Sequence, residues 1–149
     1  DDARRFVRWA PKLLVAGGHL RKLATLIATL VESLRSALAK NALRSAAEFF
    51  QVFGRRVDSE IEVMLPPVLR RTADTNHFIS DEADDALRSL CRHGSEAKLL
   101  VTLQAAAGNR VPGVRQRAIL GTAMLAQRLA AKAAGNGSSP GSCGASTAQ

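Results

Sequence analysis

One short pattern of apolar and small residues occurs three times in the chain and constrains the fold more than any other feature. Each copy has an apolar residue at both ends, with Ala and a second small residue at offsets 4 and 7. The copies begin 41 and 35 residues apart: Leu38, Ala42, Ser45 and Phe49; Ile79, Ala83, Ala86 and Leu90; Val114, Ala118, Gly121 and Leu125. Offsets of 0, 4, 7 and 11 lie on one face of an α-helix, and small central residues let another helix approach closely. A repeat of this length is typical of stacked helical hairpins.

The apolar spacing before each copy supplies a partner helix. We therefore predict an all-α fold, an α-solenoid of about three helical hairpins in which each buries its apolar face against its neighbours. The predicted pairs of helices are 20–34 with 38–56, 60–73 with 78–92, and 95–107 with 113–133. Flanking this repeat domain, 19–134, we predict a basic N-terminal helix or partial repeat, 1–18, and a flexible Gly/Ser-rich tail, 135–149.

Local signals predict where the helices of the second hairpin begin and bend. Residues 74–78 are predicted to form a turn, and Ser80 is the candidate N-cap of the next helix. Four carboxylates would then lie in its first turns, where the helix dipole favours negative charge: Asp81, Glu82, Asp84 and Asp85. In the preceding helix, Pro66-Pro67 should produce a kink or a restart.

No pattern of reactive side chains in this chain indicates catalysis, a cofactor or a metal site. Cys91 adjoins the small-residue stripe, so we expect a buried thiol, and with Cys143 it does not make a disulfide framework. Three histidines, His19, His77 and His93, lie in separate segments with no metal-ligand spacing. The acidic cluster at 81–85 lacks the glycine and the final glutamate of a calcium loop. We therefore predict a protein that is not an enzyme and has no cofactor.

Several turn segments occur in an order that resembles a TOG domain, the HEAT-repeat tubulin-binding module of the CLASP and crescerin type. They are Ser33–Ala37, Asn76–Ile79, Asp81–Leu87 and Val111–Arg117. The resemblance covers roughly residues 20–130 and implies HEAT-like hairpins in a partial TOG-like array, since a complete TOG domain has six HEAT repeats and this chain holds about three.

The resemblance also implies which residues touch a partner. In the family, the turns inside the hairpins line one edge and contact tubulin, so the candidate binding residues here are Arg35, Ser36, Asn76, His77, Phe78, Asn109, Arg110 and Arg115. From the residues alone, Phe78 is interpreted as a lid on the hairpin core. The implied partners are tubulin or the microtubule and other axonemal proteins, and the implied location is the cytoskeleton, in the cytoplasm or the axoneme of a cilium or flagellum.

The net charge of +8 and the pI near 10.7 favour an acidic partner such as tubulin, nucleic acid or an anionic membrane. No apolar run approaches the roughly 20 residues that span a bilayer, so a membrane partner is not expected. Aromatic residues make up 4% of the chain and Tyr is absent, which disfavours a stacking surface for single-stranded nucleic acid. The leading hypothesis is a tubulin-binding module, and the alternative is a scaffold for protein–protein assembly that uses its concave helix faces.

Overall fold

The computed structural model describes residues 5, 8–9, 11–16 and 18–135, which form helices and turns with no strand. The α-helices in these ranges are α1 (Pro11–Ala16), α2 (Leu20–Val31), α3 (Ser36–Phe53), α4 (Ile61–Thr72), α5 (His77–His93), α6 (Glu96–Ala107) and α7 (Pro112–Gly135). A 3-10 segment, Gly54–Glu60, joins α3 to α4. The predicted tail after Gly135 lies outside the described residues, as do Cys143, Gly17 and most of the first ten residues. The division into three segments stays a prediction.

The helices pair into three hairpins, α2 with α3, α4 with α5, and α6 with α7. Helices α3, α5 and α7 pack against one another in that order and form one layer, while α2, α4 and α6 form the other. The most extensive contact joins α3 to α5, which belong to different hairpins. The predicted all-α solenoid of three stacked hairpins is therefore confirmed.

The small-residue pattern lies where the hairpins meet. All four residues of the second and third copies are buried, whereas Leu38 in the first copy is 38% exposed and Ser45 is half-buried. A Cβ placed on Gly121 would lie 3.0 Å from the side chain of Leu103, so α7 approaches α6 as closely as a glycine allows. A β-carbon at this position would displace Leu103, because packed interiors have no spare volume.

An aromatic cluster fills the core beside the first hairpin. Phe49 and Phe50 are fully buried, and Phe49 contacts Phe50 edge-on at 5.7 Å and Phe53 at 5.0 Å between ring centroids. At the end of α3 the backbone N–H of Gly54 donates to the carbonyl of Phe50 with a φ of 53°. That positive φ requires glycine and turns the chain into the 3-10 segment.

The structure corrects the predicted start of α5. Asn76 is the N-cap, and its side chain accepts a hydrogen bond of 3.1 Å from the N–H of Phe78. The helix thus begins at His77, and Ser80 is a buried helical residue whose hydroxyl donates to the carbonyl of His77. Because the helix starts earlier than expected, the carboxylates of 81–85 lie beyond the first turn, where the dipole acts weakly.

Two other expectations from the sequence are corrected. Of the kink or restart predicted at Pro66-Pro67, the restart is wrong, because helix α4 runs through both prolines. Phe78 is 72% exposed and covers no core. The prediction of a buried thiol at Cys91 is confirmed, since this residue is 2% exposed and burial raises its pKa to about 11.

Charged side chains join neighbouring hairpins across the α3–α5–α7 layer. Arg44 on α3 donates to Glu82 on α5, with 2.8 Å between Nε and Oε1, and Arg117 on α7 pairs with Asp84 at 3.0 Å. The hydrogen bond from Arg44 lowers the pKa of Glu82, whereas burial raises that of Asp84. Two of the four acidic residues therefore bridge hairpins rather than serving the helix dipole.

A second group of ion pairs converges on Glu96 at the start of α6. This carboxylate accepts from Arg55 at 2.9 Å and from Lys132, and lies 3.3 Å from Arg128. Arg128 also donates to the carbonyls of Cys91 and Gly94, at 2.8 and 2.9 Å. The hydrogen bond from Lys132 is the main reason why the pKa of Glu96 falls to about 2. One carboxylate thus links the segment after α3 with α6 and α7.

Replacement of Phe49 by Ala should strongly destabilise the protein. Removing a fully buried aromatic ring leaves a cavity beside Phe50 and Phe53, and such changes cost about 3–5 kcal/mol. Urea denaturation followed by circular dichroism measures the free energy of unfolding. Phe78→Ala is the matched control, because Phe78 is 72% exposed. It should cost about 1 kcal/mol or less. Similar losses for both variants would contradict the assignment of the core.

Stability should fall in acid between pH 4.5 and about 2, and Glu96→Gln should reduce that fall. Because the folded-state pKa of Glu96 lies below its ordinary value of 4.5, its contribution is complete above pH 4.5 and disappears as the pH drops through the folded value. The measurement is the free energy of unfolding of both proteins across this range. An unchanged slope in Glu96→Gln would show that the ion pairs of Glu96 do not contribute.

Candidate functional site

The turns inside the three hairpins lie side by side at one edge of the stack. They consist of residues 32–35, 73–76 and 108–111, each joining the two helices of a hairpin. Together with the first helical residues that follow them, 36, 77–78 and 112–115, they are called the turn edge below. All eight binding residues predicted from the sequence belong to it.

Arg71 connects the first turn to the second. From the end of α4 its guanidinium donates to the carbonyls of Val31 and Ser33, at 2.8 and 2.7 Å, and to the carboxylate of Asp74 at 2.8 Å. The carbonyl of Val31 is at the end of α2, where helix carbonyls have no partner in their own helix. The pKa of Asp74 is lowered, mainly by the N–H of Asn76 and further by Arg71. One side chain thus fixes the spacing of two turns.

The second turn touches the third through two small residues. A Cβ placed on Gly113, at the start of α7, would lie 2.8 Å from the Cβ of Ala73. Real Cβ atoms essentially never come so close, so glycine is required for α7 to begin at this distance from the second turn. The turn edge is therefore a continuous surface rather than three separate loops.

Three of the predicted residues build the turns. Asn76 caps α5, as described above. The Asn109 side chain accepts from the N–H of Val111 at 2.9 Å. Arg115 donates to the carbonyls of Asn109 and Arg110, each at 3.0 Å, and is half-buried. These bonds hold the third turn in shape, so Arg115 is less free to reach a partner than the sequence indicates.

The other five predicted residues are exposed: Arg35, Ser36, His77, Phe78 and Arg110. In the described part of the chain, the side chains of Arg35 and Arg110 make no hydrogen bond or ion pair, which leaves both guanidinium groups available. The Phe78 ring has the ammonium of Lys40 5.4 Å from its centroid. Lys40 also lies 3.7 Å from the carboxylate of Glu82, so α3 and α5 hold this aromatic residue in position.

Sequence reasoning missed two exposed apolar residues of the turn edge. Leu34, the last residue of the predicted helix 20–34, lies beyond the end of α2 and is 99% exposed. Val111 in the third turn is 49% exposed. With Phe78, each turn or the residues following it therefore present one large apolar side chain. The signal for Leu34 and Val111 is that each adjoins an exposed arginine in a connection between helices, Arg35 and Arg110.

After Glu96 the sequence has six Lys or Arg residues and no acidic residue, but this basic run does not form a single free surface. Lys98 pairs with Glu62 at 3.2 Å, while Arg117, Arg128 and Lys132 bind the acidic residues or carbonyls described above. Arg110 is the cation of this run that has no partner among the described residues. Most of this charge excess is thus used between hairpins.

Within the described ranges, no group of three or more His, Cys, Asp or Glu side chains is placed to hold a metal ion. The raised pKa of Cys91 keeps its thiol protonated at neutral pH, and a protonated, buried thiol is a poor nucleophile. No helix in the described part is long and apolar enough to cross a membrane.

Two comparisons with known proteins bear on this edge. The family described as CLASP N terminal matches residues 12–138, which include all three turns. The human protein "TOG array regulator of axonemal microtubules protein 1" is 26% identical over 73 residues. That segment is 49% of this chain and 4% of the human protein. The similarity therefore concerns a small part of that relative.

Replacement of Gly113 by Ala should destabilise the contact between the second and third turns by about 1–2 kcal/mol, because the new Cβ overlaps that of Ala73. Combining it with Ala73→Gly should restore part of the loss, since the second change removes the overlapping atom. Gly108→Ala is the control, because its Cβ would meet only the carbonyl of Ala105 at an ordinary 3.6 Å. Urea unfolding of the unaltered protein, Gly113→Ala, Ala73→Gly, the double variant and the control tests this. Strictly additive effects of the two changes would contradict the contact.

Proposed function

We propose that this chain, which belongs to the CLASP N-terminal family, is a non-catalytic module that binds tubulin or the microtubule through its turn edge. The family match and the human relative confirm the resemblance to a TOG-type domain. Tubulin binding and the residues that perform it are the proposal.

The supporting observation is the repeated composition of the turn edge. Leu34 beside Arg35, Phe78 beside His77, and Val111 beside Arg110 give three adjacent turns an exposed apolar side chain next to a basic or titratable one. Protein interfaces commonly combine apolar anchors with surrounding polar groups. Because Arg71 and the contact of Ala73 with Gly113 fix the turns relative to one another, the three can bind one rigid partner together.

Binding would come from the combined contribution of several modest contacts. An exposed ion pair contributes only about 0–1 kcal/mol, so neither Arg35 nor Arg110 alone gives useful affinity. Their charges act mainly on the rate of encounter with an acidic partner, an effect that salt screens. Burial of Leu34, Phe78 and Val111 would supply the contribution that does not depend on salt.

We further propose a cytoskeletal location, in the cytoplasm or in the axoneme of a cilium or flagellum. The support is the name of the human relative, which describes a regulator of axonemal microtubules. On the basis of that name, we propose other axonemal proteins as additional partners. The proposal for the whole protein rests on the short segment shared with that relative.

A scaffold role without direct tubulin binding is the alternative. The last hairpin favours it, because several large apolar side chains on α6 and α7 are exposed: Leu100, Val101, Ile119, Leu120 and Leu129. Leu100 and Leu129 line one groove between α6 and α7, and an apolar patch of this kind is typical of contact with another protein. The two functions differ in which face is needed, the turn edge or the helix faces.

Charge reversal of Arg35 and Arg110 together should weaken binding to microtubules about tenfold or more at low salt, because two attractive contacts become repulsive. The assay is co-sedimentation of the full chain with stabilised microtubules, beside size-exclusion chromatography with tubulin dimers, at low and physiological salt. Leu34→Ala should also weaken binding, with little dependence on salt.

The matched control reverses Arg21 and Arg56, which are also exposed and make no ion pair within the described ranges. It changes the net charge equally but lies away from the turn edge, so its effect should be much smaller. Equal losses in the two double variants would show that binding follows net charge alone. Failure of the unaltered chain to bind either form of tubulin would favour the scaffold role.

A further inference from the structure

A cavity of about 560 Å³ between α5 and α7 has arginines as three of its six lining residues. Its residues are Arg88, Cys91, Arg92, Met124, Gln127 and Arg128. Arg92 lies 16 residues after the N-cap of α5, which places it about 24 Å along that helix from the turn edge. The cavity is thus separate from the surface considered for tubulin. Arg128 bonds the end of α5, whereas neither Arg88 nor Arg92 makes a bond to another hairpin among the described residues.

Two of the arginines are weakly compensated. Arg92 is exposed and makes no hydrogen bond or ion pair among the described residues. Arg88, one helical turn earlier, bonds only Asp85, at 2.8 Å, and both side chains are at least half exposed. Like charges four residues apart on a helix repel each other. An anionic ligand between Arg88 and Arg92 would relieve this repulsion.

The third arginine is already held in place. Arg128 donates to the carbonyls of Cys91 and Gly94 and approaches Glu96, and its side chain is 22% exposed. Glu96 is shared with Arg55 and Lys132, so it does not neutralise Arg128 alone. A fixed guanidinium loses little conformational freedom when a ligand binds.

We propose that this cavity binds an acidic peptide segment, with carboxylates on Arg88, Arg92 and Arg128. Guanidinium groups pair well with carboxylates through two parallel hydrogen bonds. The arginines lie on two helices, which suits several carboxylates along a chain better than a single small anion. Cys91 and Met124 provide an apolar floor for the methylene groups of glutamate side chains, and Gln127 can donate to a peptide carbonyl.

The test is fluorescence anisotropy of a labelled oligoglutamate peptide with the full chain, beside an oligoglutamine peptide of the same length. We expect Arg88→Gln with Arg92→Gln to weaken oligoglutamate binding about tenfold or more. The matched control, Arg21→Gln with Arg56→Gln, removes the same charge elsewhere and should change binding less than about twofold. Arg128 is left intact because it holds the end of α5.

Several results would overturn the proposal: no binding of oligoglutamate, equal binding of oligoglutamine, or equal weakening in both double variants. Tighter binding of a single-stranded oligonucleotide, or of a phosphopeptide without carboxylate side chains, with the same dependence on Arg88 and Arg92 would overturn the choice of a carboxylate-rich peptide. If the double variant shows no cooperative thermal unfolding, Arg92→Gln alone is tested, and its affinity for oligoglutamate should fall about threefold. The assay contains no tubulin, so its outcome is independent of the proposed function.

Discussion

Close contact between successive hairpins holds the described part of this chain together, and it requires small side chains where α3, α5 and α7 meet. The small residues of these stripes are mostly Ala, and Gly121 also lets α7 approach α6 within the third hairpin. Small residues bring the helix backbones near enough for polar bonds between hairpins, such as that from the Ser89 hydroxyl to the carbonyl of Ala47 at 2.7 Å. Larger residues would separate the hairpins and leave each with an apolar face that it cannot bury alone.

The surplus of positive charge has two uses in this structure. Many arginines reach about one repeat along the chain and bind a carboxylate or carbonyl of the neighbouring hairpin; Arg44, Arg71 and Arg128 are examples. Guanidinium groups suit this work because they stay charged and donate in several directions. A smaller set, including Arg35, Arg92 and Arg110, has no such bond in the described part. The net charge alone therefore overstates the number of cationic side chains that are available to a partner.

The hairpins could be predicted from the sequence because helical periodicity is a local signal that repeats. The start of α5 could not be predicted in the same way, because Asn76 and Ser80 are both good N-cap residues and lie one turn apart. The burial of Ile79 and Ser80 favours Asn76. The carbonyls that Arg71 binds and the cations around Glu96 lie more than 30 residues away and follow from how hairpins stack. The exposure of Leu34 was missed for a simpler reason: its spacing continues the pattern of α2 beyond the end of the helix.

Arg71 makes the spacing of the first two turns a property of the folded core. Its guanidinium spans the carbonyl of Ser33 and the carboxylate of Asp74 with bonds of 2.7 and 2.8 Å, so those turns keep one separation while the stack is intact. Because the spacing of the turns is fixed, this surface selects partners by the distance between their complementary groups as well as by their chemistry. Loss of the Arg71 bonds would let each turn contact a wider range of surfaces. Each turn would then lose conformational entropy separately when it binds a partner.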